Sequence, residues 1–415
     1  MRTILHVDCN NFYASVECLY TPALRDKPVA VCGDQEARHG IVLAKSYAAK
    51  KYGVRTGNPV WMARRLCPDI VIVPPHYELY LRHSTLAQKI YAEYTDLVEP
   101  FGLDECWLDV TGSIGLFGDG RTIADALRER IKFELGITVS VGVSFNKVFA
   151  KLGSDLHKPD ATTVIPPTGW QEMVWPLPVA DLLYVGPQTG RLLNRYYIHT
   201  IGDLAAADPA FIRAKLGKVG TYLQSYALGL DASPVSPADA PPLIKSIGNS
   251  TTMPRDMEDG DDLRIILYIL AESVGQRLRE QDLQCRTVQI SLRNTDLVWT
   301  ERQVQLSFPT CNSQTLFDAA YRLYRDNSRG PLRSVGVRGC QLDHWSHVQT
   351  SLLREVSRSQ RLDDLDAAVD NIRRRFGRNS VKRGILLADP GLAGLDPLTD
   401  HPAIPAGRMG AGTVG

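Results

Sequence analysis

Residues 286–308, RTVQISLRNTDLVWTERQVQLSF, alternate apolar and polar side chains twice over. Val288, Ile290 and Leu292 fall on one side of a first strand, and Val304, Leu306 and Phe308 on one side of a second. That is the period of two expected of half-buried strands. Outward from this pair the period changes. Leu263 to about Gln281 reads as a helix, opened by the acidic run DMEDGDD at 256–262 that suits a helix N-terminus. Ser313–Arg325 reads as a second helix, and strands at Lys245–Thr252 and Ser334–Leu342 close the ends. The order is β-α-β-β-α-β, the split βαβ pattern of a small independent domain.

Before it, Asp231–Pro242 (DASPVSPADAPP) is rich in Pro, Ala and Asp and predicts an extended linker. Residues 168–232 read as short helices broken by glycine. Val185-Gly186-Pro187 and Gly217-Lys218-Val219-Gly220 fit two helix-hairpin-helix turns. Backbone N–H groups at such turns hold a DNA phosphate without reading sequence. One such turn is as often a plain helix joint; two in one module point to nucleic acid. The N-terminal part alternates strands and helices around one sheet: a strand Thr3–Val7 running into Asp8, helices at Phe12–Leu19, Tyr77–Tyr94 and Thr122–Leu135, and strands in LVEPFG, LDECWLDV and ITVSVGVS. That predicts an α/β or α+β core. Near the other end, Leu362, Leu365, Val369, Ile372 and Phe376 have the spacing of an amphipathic helix, and 389–415 is expected to be a flexible Gly- and Pro-rich tail.

A length of 415 residues allows two to four domains, and 44% hydrophobic with 22% charged residues is ordinary globular composition. Lys plus Arg is 47 against 46 acids, so the net charge of +1 does not advertise a polyanionic partner. No stretch approaches the ~20 apolar residues that span a bilayer, and the N-terminus offers no signal-peptide core. The eight cysteines contain no CxxC pair. That argues against a zinc knuckle or a disulfide framework and for a cytoplasmic location.

Three acids carry the candidate chemistry. Asp8 ends an apolar strand, and Asp104-Glu105 interrupt an apolar hairpin. Ionised acids there are costly unless something positive binds, and a pair of Mg²⁺ ions about 3.5–4 Å apart needs such bridging carboxylates. Neighbouring strand side chains face opposite ways, so Asp104 and Glu105 must lie at a turn to serve one site. SYAAKKYGV (46–54) carries Tyr47, Lys50 and Lys51, and DLHKP (155–159) carries Lys158. Lysines with a tyrosine hydroxyl suit triphosphate oxygens, although helix lysines are more commonly solvated.

DCNNFYASVE, SYAAKKYGV, LDECWLDVTG and SVGVSFNKVFAKLGSDLHKP, in this order and spacing, closely resemble the Y-family (translesion) DNA polymerases. The resemblance covers about residues 1–385. It implies a multidomain α+β right hand: a ferredoxin-like palm (1–20 and 75–166), small fingers (21–74), a helix-hairpin-helix thumb (167–232), a linker (233–244) and the β-α-β-β-α-β little finger (245–345). A C-terminal segment (346–388) and the tail follow. It implies catalytic acids at Asp8, Asp104 and Glu105, which with the Cys9 carbonyl would hold two Mg²⁺ ions. Triphosphate contacts fall on Tyr47, Lys50 and Lys158, and a steric gate against ribonucleotides on Tyr13. Asn10, Lys50, Gly102 and Tyr184 depart from many relatives, which carry Asp, Arg, Ser and Gly there.

The implied activity is low-fidelity, template-directed addition of dNTPs to a primer 3′ end for translesion synthesis, without a proofreading exonuclease, by a monomer. Primer-template DNA would be held at Gly186, Gly217 and Gly220 and by strand arginines such as Arg333 and Arg338. A nucleotidyl cyclase also pairs acids and metal, but it holds no duplex and has no use for the hairpin module. A non-catalytic paralogue should lose the acids, and all three are present. A small-fingered polymerase also needs tethering, which a sliding clamp provides by raising effective concentration. Gln349-Thr350-Ser351-Leu352-Leu353 resembles the bacterial clamp-binding peptide, with Gln349, Leu352 and Leu353 as anchors and departures at Thr350 and Leu353.

Overall fold

A computed structural model describes residues 2–34, 38, 40–240, 244–257, 260–327, 330–344 and 354–395. They form two compact units, one drawn from 2–33 and 41–240, the other centred on 244–395. No helix among the described residues is long and apolar enough to cross a membrane.

The first unit opens with β1 (Ile4–Cys9), α1 (Phe12–Tyr20), β2 (Val29–Cys32), β3 (Val42–Lys45), α2 (Tyr47–Lys51), α3 (Val60–Leu66), β4 (Val71–Val73) and α4 (Tyr77–Ala92). Next come β5 (Val98–Pro100), β6 (Glu105–Asp109), α5 (Ile114–Phe117), α6 (Gly120–Leu135), β7 (Val139–Ser144), α7 (Lys147–Leu156) and β8 (Thr162–Val164). It ends in α8 (Trp170–Val174), α9 (Pro187–Arg195), α10 (Ile201–Ala206) and α11 (Pro209–Ala227). The main sheet, β5-β6-β1-β7-β8, has β1 at its centre, antiparallel to β6 and β7. Alternation sorts the side chains of β1. Leu5, Val7 and Cys9 enter the core shared with α4 and α6, while His6 and Asp8 reach α7.

Helix α7 lies very close to the sheet, and glycine allows it. A Cβ on Gly142 of β7 would sit 1.9 Å from the Ala150 carbonyl oxygen and 2.5 Å from Ser154 N; one on Gly153 would sit 3.2 Å from Gly142 Cα. The helix is capped by Asn146, whose side chain accepts from Phe149 N at 2.8 Å.

A smaller sheet, β3-β2-β4, packs its core with α2 and α3 through Ala30, Val42, Ala49 and Ala63. In the helical part, Gly217 interrupts α11 at φ 62°, ψ −147°, a conformation essentially confined to glycine. Gly220 is sterically required, since its Cβ would lie 2.7 Å from Leu216 Cβ. Gly186 instead caps α9 in open space, and the left-handed residue of that turn is Tyr184, φ 71°.

The second unit runs β9 (Ser246–Met257), α12 (Gly260–Glu280), β10 (Leu283–Asn294), β11 (Trp299–Thr310), α13 (Ser313–Asn327), β12 (Leu332–His344) and α14 (Arg354–Phe376). The order expected from the alternation is present. The sheet is β11-β10-β12-β9 with every neighbour antiparallel, so each of its two βαβ units is split by one strand of the other.

Three local expectations change. Pairing with β12 carries β9 as far as Met257, leaving only Asp261 and Asp262 of the acidic run in the first turn of α12. The apolar stripe of α14 is not what docks it: Leu365, Ile372 and Phe376 are 54%, 40% and 69% exposed, whereas Asp363 and Asp366 are buried. Helix α12 offers the docking helix charge: Arg279 lies 2.7 Å from Asp370 and 3.2 Å from Asp366, and Glu272 lies 3.1 Å from Arg373. Finally, the tail does not begin loose at 389. Asp389 accepts from Gly391 N and Leu392 N, and Leu392 joins Leu386 in the unit's core.

Candidate active site

Strand alternation and the close α7 contact bring five side chains together on one side of the main sheet. His6 and Asp8 come from β1, Glu105 from the start of β6, Lys151 from α7 and Lys158 from the turn after it. Lys151 Nζ lies 3.0 Å from Asp8 Oδ2, 2.8 Å from Glu105 Oε2 and 3.3 Å from Asp155 Oδ2. Lys158 Nζ lies 2.7 Å from Asp8 Oδ2 and 2.8 Å from Asp155 Oδ1. Asp104 sits in the bend before β6, as a shared site requires, and its carbonyl accepts from Cys9 N at 2.9 Å. The Cys9 side chain is buried in the core on the other face.

Burial, then the charges of Glu105 and Asp8, push the Asp104 carboxyl up to about 7. Burial also opposes the charge on Glu105, but His6 and Lys151 outweigh it and hold that carboxyl below its ordinary range. Lys151 is likewise buried, and Asp8, Glu105 and Asp155 keep it firmly an ammonium. These residues fit a divalent cation. Ligand atoms of His6, Asp8 and Glu105 lie within 4.8 Å of one another. Asp8 and Glu105 share Lys151 as their cation, a place between two carboxylates that a divalent ion also suits. The carboxylate oxygens suit a hard ion.

The triphosphate candidates gather beside the acids. The Tyr47 hydroxyl donates to Asn10 Oδ1 at 3.3 Å, and Lys50 Nζ stands 5.7 Å from the Tyr47 ring. Lys45, which sequence reasoning passed over, joins them: burial, then Lys50 and Lys158, depress its pKa. Tyr13 stacks on Tyr80 with ring centroids 4.1 Å apart, and the Tyr80 hydroxyl is anchored on buried Glu17. Burial, then Asp104, push the Tyr13 hydroxyl up to about 12.

Further from the acids, Gln188, Arg191, Arg195 and Leu216 line one hollow between the start of α9 and the Gly217 kink, bringing the two hairpins side by side. In the second unit Arg338 is exposed and paired in register with Gly248 and Gln289, over a floor that includes Ser250 and Ser291; Arg333 is half-buried. Gln349, Leu352 and Leu353 lie outside the described residues.

His6, Lys151, Ser154 and Asp155 were not singled out from the sequence. A signal existed: Lys151, Ser154, Asp155 and Lys158 recur at helical spacing, and His6 precedes Asp8 by one strand period.

Residues 7–155 match the impB/mucB/samB family, and residues 244–352 match its C-terminal domain. The chain is 54% identical to a DNA polymerase IV of Acetivibrio thermocellus, covering 94% of this chain and 99% of that protein. A DNA polymerase IV of Moorella thermoacetica is 39% identical, over 94% and 97%. A solved Y-family DNA polymerase chimera superposes with a TM-score of 0.73 at 25% identity, over 82% of this chain and 98% of that one. Fold and acid cluster together define a Y-family DNA polymerase. Within that class, the chain belongs to the impB/mucB/samB family.

Proposed function

We propose that this DNA-directed DNA polymerase of the translesion class extends a primer 3′ end by a two-metal mechanism, using Asp8, Asp104, Glu105 and the Cys9 carbonyl to hold two Mg²⁺ ions, and that it has no proofreading step. The observation that carries the reading is the convergence of Asp8 and Glu105, with Asp104 beside them, next to Lys158 and Lys45. Divalent ions held by these acids would supply Lewis acidity toward the primer hydroxyl and the departing pyrophosphate. The chain's own part is positional. Lys158, paired here with Asp8 and Asp155, would turn to a triphosphate oxygen once cations neutralise Asp8, and Lys45, Lys50 and the Tyr47 hydroxyl would neutralise and orient the rest. Backbone groups around Gly186, Gly217 and Gly220, with Arg333 and Arg338, contact phosphates and so hold primer-template DNA without sequence preference. Primer extension by the purified chain, with undamaged and lesion-bearing templates and each dNTP alone, tests the reading. Failure to add a templated nucleotide refutes it.

Sugar selection follows from Tyr13. Its ring is pinned by stacking on Tyr80, so it rejects a ribose 2′-hydroxyl by clash. Tyr13→Ala is expected to raise ribonucleotide incorporation by roughly 10–100-fold, with modest loss of dNTP use. Paired single-nucleotide insertion assays check it, and unchanged selectivity refutes it.

The clamp contact rests on the 349–353 peptide and the need for tethering. Changing Gln349, Leu352 and Leu353 together to Ala is expected to abolish clamp-stimulated synthesis while unstimulated insertion continues. Stimulation that survives the triple change rules the peptide out. The polymerase is expected to work as a monomer, which light scattering of the free protein checks.

A further inference from the structure

Lys158 hangs from a turn rather than from a regular element: α7 ends at Leu156 and β8 begins at Thr162. A lysine stem is long and flexible, so the places its ammonium can reach depend on where the backbone beneath it is held. The turn is held from both sides. At its start, His157 Nδ1 lies 3.2 Å from Thr163 Oγ1. At its end, Arg128 of α6 grips Asp160. Arg128 Nε and Nη2 donate to Asp160 Oδ1 at 3.2 and 2.8 Å, and Nη2 also donates to the Asp160 carbonyl oxygen at 2.7 Å. Nη1 donates to Asp125 Oδ1 at 3.2 Å, and the same oxygen accepts from Thr162 Oγ1 at 2.6 Å. Lys132, one helical turn further along α6, donates to Asp160 Oδ2 at 3.0 Å. Burial works against the charge of Asp160, and Arg128 and Lys132 outweigh it. Asp160 itself stands at φ 50°, a conformation that a residue with a side chain keeps when its surroundings enforce it.

We propose that Arg128 is a positioning residue for the incoming nucleotide: by fixing the Asp160 side of this turn, it sets where the Lys158 ammonium meets the triphosphate. The inference rests on the reading of Lys158 as a triphosphate contact. A planar guanidinium directs its donors all at once, so it fixes carboxylate and carbonyl as one rigid unit, which a point charge cannot do. Those donors are directed to Asp160 and Asp125, and Arg128 therefore acts on the nucleotide through Lys158. Without the fork the turn can shift, and a shift of about 1 Å is enough to misplace a charge-assisted contact.

The test is single-turnover insertion of one dNTP by the full chain on primer-template DNA with Mg²⁺, at graded dNTP. It separates the Kd for nucleotide from the maximal rate and, through the amplitude, from the active fraction. A residue that only supports the fold lowers the amplitude or the Tm and leaves Kd as it is. The expected result is that Arg128→Ala raises Kd by about tenfold or more, and that Lys158→Ala raises it at least as far. In the double variant Kd matches that of Lys158→Ala to within about twofold, because an ammonium that is missing cannot be misplaced. Arg128→Lys, which keeps the charge without the fork, replaces Arg128→Ala in the same cycle should the alanine variant not fold. If Lys158→Ala leaves Kd unchanged, the triphosphate reading of Lys158 fails and the inference fails with it. If Lys158→Ala raises Kd and the Arg128 change does not, the inference alone fails. If the two effects multiply in the double variant, Arg128 acts by another route and the inference is overturned.

Discussion

Asp8→Ala, Asp104→Ala and Glu105→Ala are each expected to lower the rate of single-nucleotide insertion by about 10³-fold or more, while primer-template affinity changes little. The magnitude follows from losing about 4 kcal/mol of charge stabilisation in the transition state, at 1.36 kcal/mol per factor of ten. DNA affinity survives because the proposed phosphate contacts lie on other elements. The three changes differ in their side effects. Asp8 partners both Lys151 and Lys158, but each lysine keeps Asp155 when Asp8 is removed. Glu105 shares Lys151 with Asp8 and faces buried His6, so its removal leaves the imidazole facing a void. Asp104 is the cleanest probe, since burial and its two acidic neighbours already work against its charge. Single-turnover insertion with saturating dNTP, alongside fluorescence anisotropy for DNA, measures both halves. Near-normal insertion by Asp104→Ala would contradict the metal assignment.

Those acids were legible in the sequence because a charge ending an apolar strand breaks a pattern. The β-α-β-β-α-β order was legible for the complementary reason, a pattern kept over whole elements such as Val288–Leu292. What escaped is what pattern does not encode. The stripe Leu362–Phe376 has the right spacing for burial, yet α14 docks through Asp366 and Asp370 on Arg279; spacing says which residues share a face, not which face finds a partner. Lys45 sits in a strand whose register with β2 only the folded sheet decides. Leu386 and Leu392 were hidden in Gly- and Pro-rich surroundings, although each buries its side chain. His6 was hidden because a histidine in a core strand is ordinarily a satisfied core residue.

The site also depends on a residue with no side chain. Gly142→Ala is expected to cost more than about 4 kcal/mol of stability, the range reserved for severe core defects. The added Cβ would meet backbone, at 1.9 Å from the Ala150 carbonyl and 2.5 Å from Ser154 N, and backbone in a capped helix cannot rotate aside as a side chain does. The conflict is relieved only by lifting α7 from β7, which forfeits close packing along Val148, Phe149 and Leu152 and separates Ser154 from His6 and Lys151 from the acids. Gly153→Ala is milder. Its Cβ meets Gly142 Cα at 3.2 Å, and the gain in helix propensity, about 1 kcal/mol, offsets part of the crowding. Gly112→Ala enters open space and stays within about 0.5 kcal/mol of the parent. Urea denaturation of the three variants should therefore rank Gly142 far below Gly153, and Gly153 at or just below Gly112. An unchanged midpoint for Gly142→Ala would mean that α7 does not lie against the strand this closely, and the distances that join Lys151 to Asp8 and Glu105 would fall with it.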